Sequence, residues 1–276
     1  MPDTISPAWL ATAVEAVIRA GDVQMSRVGQ AMRIEKKGAI DLVTETDREI
    51  EREFRALIAR RFPAHEVLGE EYSDAADRER VPEFRWVFDP IDGTTNFAHG
   101  LPIFSASLAF EVHGVAVAGA IYDPNRKELF TAQRGAGAWL NGEPMRVSTA
   151  PVLIDALLCT GFPYSVQQKP EELVGLFAHF LGISRAVRRL GSAAIDLCYV
   201  AAGRLDAFWE MQLGPWDIAA GALIVEEAGG QVTSIDGAPF ASRRGNILAT
   251  NRVLHPQMLA TISDFHAGLR SRNRTD

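Results

Sequence analysis

Three short acidic stretches hold the residues most able to do chemistry. FDPIDGTTNF (88–97) sets Asp89 and Asp92 three residues apart where an apolar run stops, LGEEY (68–72) offers Glu70 and Glu71 after another such run, and GPWDIAAG (214–221) carries Asp217 just behind a proline. In the first stretch, Trp86 to Phe88 predicts a buried strand with Asp89 at its end. Pro90 fixes φ and lacks an N–H, so a turn is expected there. Gly93 permits close backbone approach, and Thr94, Thr95 and Asn96 suit the opening of a helix. Two carboxylates are then aimed at one point beside a helix N-terminus with unpaired N–H groups. Carboxylates attract a cation and bare N–H groups an anion; a metal ion bridging to a phosphate satisfies both.

Each stretch also has a plainer reading. Asp89 and Asp92 could cap a strand and a helix, Glu70 and Glu71 could form a solvated turn, and Asp217 could serve only the dipole of its own helix. Taken together, acids at strand ends and a helix start can converge on one cleft. Oxygen ligands with no clustered His or Cys then select Mg²⁺ or Mn²⁺ rather than zinc. Asp47 lies in DLVTETDREIE, where Thr46 and Glu49 read as the capping box of a long helix and Asp47 as an acid of its first turn.

The elements that must position these groups follow from periodicity and turn residues. A helix is expected over about 7–31, with Trp9, Leu10, Ala13, Val14, Val17 and Ile18 on one face, then a short strand near Leu42-Val43 and a long helix ending before Pro63. Strands are expected at His65–Leu68, Trp86–Asp89, Ser105–Val112, Val115–Tyr122 and Glu128–Arg134. This half reads as two helices over an antiparallel sheet. From residue 148 strands and helices alternate: Ala156–Thr160, a helix near 169–181, Ser184–Arg189, a helix at 193–202, Ala207–Glu210, a helix at 217–228, and Gly230–Ser234. The expectation is a layered αβαβα sandwich, with an α+β half over 1–147 and an α/β half over 148–276. The tail from Ser271 is expected to fray.

Composition bounds the function. A chain of 276 residues with 23% charged residues can bury a sizeable core, and its net charge of −7 gives no field to gather nucleic acid or an anionic membrane. Arg185, Arg188 and Arg189 form a local basic cluster. Two distant cysteines, Cys159 and Cys198, suggest neither a disulfide framework nor a zinc site, which fits a cytoplasmic protein. The most apolar window, from Ile103 to Tyr122, is broken by Glu111, His113, Gly114 and Gly119 and reads as a hairpin rather than a membrane span. RGAGAWLNG has Leu140 where a nucleotide loop needs a third glycine. The two residues between Asp89 and Asp92 also separate DPID from haloacid dehalogenase motifs, which have one.

DLVTETD, GEE, WVFDPIDGTTNFAHG, RRLGSAAIDLCYVAAGRLDAFWE and GPWDIAAGALIVEEAGG together resemble the inositol monophosphatase family of Mg²⁺-dependent, lithium-sensitive sugar phosphatases, through nearly the whole chain. The resemblance implies that Glu70, Asp89, Asp92, Asp217 and the Ile91 carbonyl bind two or three Mg²⁺ ions, with Mn²⁺ a substitute. Asp47, Thr94 and Glu70 would form the catalytic group, with Thr94 and Asp47 orienting and deprotonating water and Glu71 lying behind the ligands. Gly93, Thr94 and Thr95 would meet the phosphate. Gly191, Ser192, Ala193, Glu210 and Asp217, with Arg188 and Lys36, would face the rest of the substrate, although Lys37 competes with Lys36 for its role. The family further implies direct transfer of phosphate to water and a homodimer. Inositol monophosphate is the expected substrate; fructose 1,6-bisphosphate, nucleotide 3′-phosphates and histidinol phosphate are alternatives, as is a regulatory binding role with phosphatase activity secondary.

Overall fold

The computed structural model describes residues 6–30, 34–36, 42–163, 165–168 and 170–272. Helix α1 (Pro7–Arg27) starts behind the Ser6 cap and lies with α2 (Glu45–Arg61) over one face of a seven-stranded sheet. That sheet runs in the order β3 (Glu66–Gly69), β4 (Phe84–Asp92), β5 (Ser105–Val112), β6 (Val115–Asp123), β7 (Glu128–Gln133), β8 (Gly137–Leu140) and β9 (Glu143–Pro144). Between β3 and β4 lies the short helix α3 (Ala75–Glu79), and α4 (Thr94–Ala98) follows β4. From β4 to β9 every neighbour is antiparallel, as expected, whereas β3 joins the edge parallel to β4. The α3 segment carries the chain back so that both strands end on the same side. With Gly69 paired to Phe88, Glu70 emerges level with Asp89.

A five-stranded sheet forms the second β layer: β11 (Ala186–Arg188), β10 (Leu157–Thr160), β12 (Ala207–Glu210), β14 (Ile247–Thr250) and β13 (Gln231–Thr233), with β10 parallel to β11 and β12 and the other pairs antiparallel. Helices α6 (Ala193–Ala201) and α7 (Pro215–Glu227) fill the space between the sheets, and α5 (Pro170–Ile183) and α8 (His255–Arg272) cover the outer face. The resulting sequence of layers is αβαβα. A two-stranded ribbon of β1 (Ile34–Lys36) and β2 (Leu42–Thr44) precedes α2.

Alternation along the strands explains the layering. In β4, Trp86 and Phe88 point into the α1/α2 core and Val87 into the middle one; in β12, Phe208 joins the middle core while Ala207 and Trp209 join the outer one. Because α7 is sandwiched, it is apolar nearly all round, with Trp216, Ile218, Leu223, Ile224 and Val225 all buried. The apolar window from Ile103 forms the β5–β6 hairpin, turning at His113 and Gly114 with φ of 49° and 76°. Among the described residues no helix is long and apolar enough to cross a membrane.

Three expectations about local structure need correction. Strand β4 does not stop at Asp89: it continues through Pro90 to Asp92, with the register shifted between Asp89 and Asp92. A bulge lets a proline sit where a regular ladder would need its N–H. The cap of α2 is Thr44, not Thr46: the Asp47 carboxylate accepts from the Thr44 N–H at 2.9 Å and its hydroxyl at 2.5 Å, closing the box two residues earlier. Strand β14 and helix α8 carry no motif that singled them out beforehand. Helix α8 continues through Arg272, so the expected fraying at Ser271 does not begin there, and 273–276 lie outside the described residues.

Candidate metal centre

The bulge at the end of β4 turns Asp89 and Asp92 toward each other. Asp89 Oδ1 accepts from the Ile91 N–H at 2.9 Å, which folds the intervening peptide back on the carboxylate. Gln24 of α1, fully buried, donates to the Pro90 carbonyl at 2.7 Å and holds that peptide from behind. Asp217 arrives from the middle layer, at the third position of α7, with Oδ2 accepting from the Gly214 N–H at 2.6 Å. One oxygen from each of Asp89, Asp92 and Asp217 lies within 4.8 Å of the others. Capping and convergence are thus both present: each acid is fixed by a backbone N–H and still faces its neighbours.

Asp92 is fixed across the molecule. Its Oδ2 accepts from the Ser192 hydroxyl and from the Ala194 N–H at 2.8 Å, so the carboxylate sits on the first turn of α6. The helix capped by Asp92 belongs to the other half of the chain, not to the segment that follows it.

The electrostatics fit a cation. Burial, then the charges of Glu70, Asp92 and Asp217, push the Asp89 carboxyl well above its ordinary range. Asp217 is pushed the same way by burial, Asp92 and Glu70. Burial raises Asp92 to about 6 even though Ser192 and Ala194 donate to it. Like charges gathered in a half-dry site cannot all ionise alone. A divalent ion resolves the conflict, and an all-oxygen donor set selects a hard one such as Mg²⁺ or Mn²⁺.

Asp47 is linked to this cluster through Thr94. The Thr94 hydroxyl reaches both the Ile91 carbonyl at 3.0 Å and Asp47 Oδ1 at 3.4 Å. Thus Asp47, Thr94 and Ile91 form one chain of polar atoms, with Asp47 fully buried. Glu70 and Glu71 follow β3 directly, and the Glu70 charge acts on all three aspartates.

Gly93 caps α4 with φ of 95°, and a Cβ there would meet the Ile103 carbonyl at 3.0 Å and the Gly191 carbonyl at 3.2 Å. Thr95 is exposed on the same turn. Asn96, which sequence reasoning took only as a helix opener, donates to the Ile103 and Leu190 carbonyls at 2.8 and 2.9 Å and so ties α4 to Gly191. Ser192 caps α6, and its hydroxyl is already engaged by Asp92.

Glu210 ends β12, buried, its carboxyl pushed well up by burial and then by Asp196 and Asp217. Asp196, which no motif singled out, is buried one turn into α6, and its Oδ1 has no hydrogen-bond partner among the described residues. The arginine whose charge pulls Glu210 and Asp196 back down is Arg189. Both neighbours are exposed; Arg188 ends β11 and donates to the Val187 carbonyl at 3.4 Å, while Arg189, one residue past the strand, is the one whose charge reaches Glu210 and Asp196. Lys36 ends β1 opposite Leu42, and Lys37 lies outside the described residues.

A five-layer α/β fold that brings acids of β4 and α7 together in one oxygen-ligand cluster is the frame of a metal-dependent phosphatase. Residues 7–267 match the Inositol monophosphatase family, and the chain belongs to it. It is 43% identical over 251 residues to an inositol-1-monophosphatase of Synechocystis, covering 91% of this chain and 87% of that one. It is equally 43% identical, over 231 residues, to a Pseudomonas aeruginosa protein named Nus factor SuhB, covering 83% and 85%. The structure of an inositol monophosphatase from Anabaena superposes with a TM-score of 0.84 at 38% identity, over 93% of this chain and 96% of that one. An IMPase/NADP phosphatase complexed with Mg²⁺ and phosphate superposes with a TM-score of 0.77 at 28% identity, over 88% and 90%.

Proposed function

We propose that the protein hydrolyses inositol monophosphates, and related sugar phosphates more slowly, with Mg²⁺ held by Asp89, Asp92, Asp217, Glu70 and the Ile91 carbonyl. The observation that carries this reading is the meeting of Asp89, Asp92 and Asp217 within 4.8 Å. Bound there, the metal supplies Lewis acidity to the phosphate and to the leaving oxygen. The chain's own groups do the rest. Asp47 accepts a proton from water through or beside the Thr94 hydroxyl, which its 3.4 Å contact keeps aligned. Without a side chain Gly93 lets the start of α4 pack against the Ile103 and Gly191 carbonyls, and its N–H, with Thr94 and Thr95, would meet the phosphate. Glu210 accepts hydrogen bonds from ring hydroxyls, with Gly191, Ser192 and Ala193 shaping the wall nearby.

Turnover of myo-inositol monophosphate, fructose 1,6-bisphosphate, a nucleotide 3′-phosphate and histidinol phosphate, measured side by side with Mg²⁺, tests the choice. The inositol ester is expected to show the highest kcat/KM; preference for any of the others by tenfold or more overturns it. The cytoplasmic site, the homodimer and lithium inhibition belong to the same reading, and sedimentation with an inhibition series checks the last two.

A regulatory binding role is the second reading, supported by the equal identity to the protein named Nus factor SuhB. Partner binding that survives Asp217→Asn, with phosphatase activity lost, would favour it.

A further inference from the structure

Glu51 is a fully buried carboxylate that the chemistry above does not use. It lies on α2 one turn after Asp47, and its Oε2 accepts from the Glu71 N–H at 2.7 Å. Its Oε1 accepts from Arg55 Nε at 2.8 Å, an i,i+4 pair in the favourable order. The Arg55 guanidinium continues to the Val67 carbonyl at 3.2 Å and to the Ser73 hydroxyl at 3.0 Å. That hydroxyl in turn accepts from the Gly69 N–H at 3.0 Å. Three side chains therefore hold backbone groups at 67, 69 and 71, on both sides of Glu70, and none of these bonds involves the Glu70 carboxylate. Gly69 completes the arrangement: a Cβ at that position would overlap the Glu51 carboxylate.

We infer that Glu51, with Arg55 and Ser73, positions Glu70 for the metal, and that the affinity of the site for Mg²⁺ is set partly by this clamp on the backbone. Glu70 is the one acidic ligand in this reading that follows an edge strand rather than the interior of the sheet. Asp89, Asp92 and Asp217 are fixed by a bulge and two helix starts, whereas the backbone on either side of Glu70 is held by Glu51 and Arg55 of α2 and by Ser73. One helix thus sets both Asp47 and Glu70. The inference rests on Glu70 being a ligand, and outer partners of metal ligands typically change affinity by roughly 10–100-fold when removed.

Calorimetric titration of metal-free protein with Mg²⁺, alongside turnover at saturating Mg²⁺, tests it on Glu51→Gln, Ser73→Ala and, as a reference, Asp89→Asn. The expected result is a Kd raised about tenfold in Glu51→Gln and severalfold in Ser73→Ala, with kcat at saturating metal within about twofold of the parent. Parent-like Kd in both variants, while Asp89→Asn fails to bind, overturns the positioning role and leaves the metal site standing. Parent-like binding by Asp89→Asn overturns the site itself, and the positioning role with it. If Glu51→Gln does not fold, Ser73→Ala decides alone, since Ser73 is half-buried and outside the apolar cores.

Discussion

At the scale of the residue, the centre is a problem of charge. Asp89, Asp92 and Asp217 all have carboxyls raised first by burial and then by neighbouring carboxylates, Glu70 among them in each case. The unfolded chain gives up these protons near pH 4, and the metal-free folded chain holds them longer, in Asp92 to about 6. Protons are then bound by the native state in excess, so the contribution of these groups to stability falls as pH rises from about 4 through 6 and above. Mg²⁺ competes with those protons. Its stabilising effect is therefore expected to be larger at pH 8 than at pH 5, read as the shift in melting temperature on adding excess metal. Asp89→Asn is expected to abolish phosphatase activity and to remove most of that shift; an active variant with the parent's metal response would sink the metal-centre reading.

At the scale of the element, the β4 bulge and the start of α4 are the features on which the geometry turns. Gly93 has a φ of 95°, and a Cβ built on it would lie 3.0 Å from the Ile103 carbonyl. Gly93→Ala is expected to cost roughly 1–3 kcal/mol in chemical denaturation and to suppress turnover far more than the stability loss explains, because relieving its contact with the Ile103 and Gly191 carbonyls moves the start of α4 and draws Thr94 away from Asp47 and the Ile91 carbonyl. A neutral effect on both measurements would show that the loop yields. The same scale shows what local sequence conveys and what it does not. Pro90 announced a break, but whether the chain turned or bulged depended on the partner strand β5, which accepts the shifted register between Asp89↔Ser107 and Asp92↔Ser105. Thr44 and Thr46 both precede an acid by three residues. Only the packing of α2 against the first sheet chose the earlier one.

At the scale of the molecule, the middle helices decide cooperativity. Helix α7 contributes Asp217 at its start and, along its length, apolar contacts to both sheets, joining Ala109, Ile121 and Phe130 of the first to Phe208, Val232 and Ala249 of the second in one core. A fragment ending at residue 147 would leave one face of the seven-stranded sheet bare. It is expected to lack a cooperative thermal transition and to bind no Mg²⁺, as followed by circular dichroism and calorimetry. A sharp transition in the fragment would show that the first half has a self-sufficient core.

The converging acids were legible as candidates from chemistry and spacing: Asp92 ends a strand, Asp217 begins a helix and Asp89 sits at the bulge, places where a backbone can aim a carboxylate outward. The layers were legible for a related reason, since alternation reports which face of a strand is buried. The chain by itself did not say that Asp92 would cap α6 from a hundred residues away, that Arg189 rather than Arg188 would act on Glu210, or that Glu51 would hold the turn at Glu70. Those relations join residues distant in sequence. They are settled by how sheets and helices stack, which no local pattern encodes.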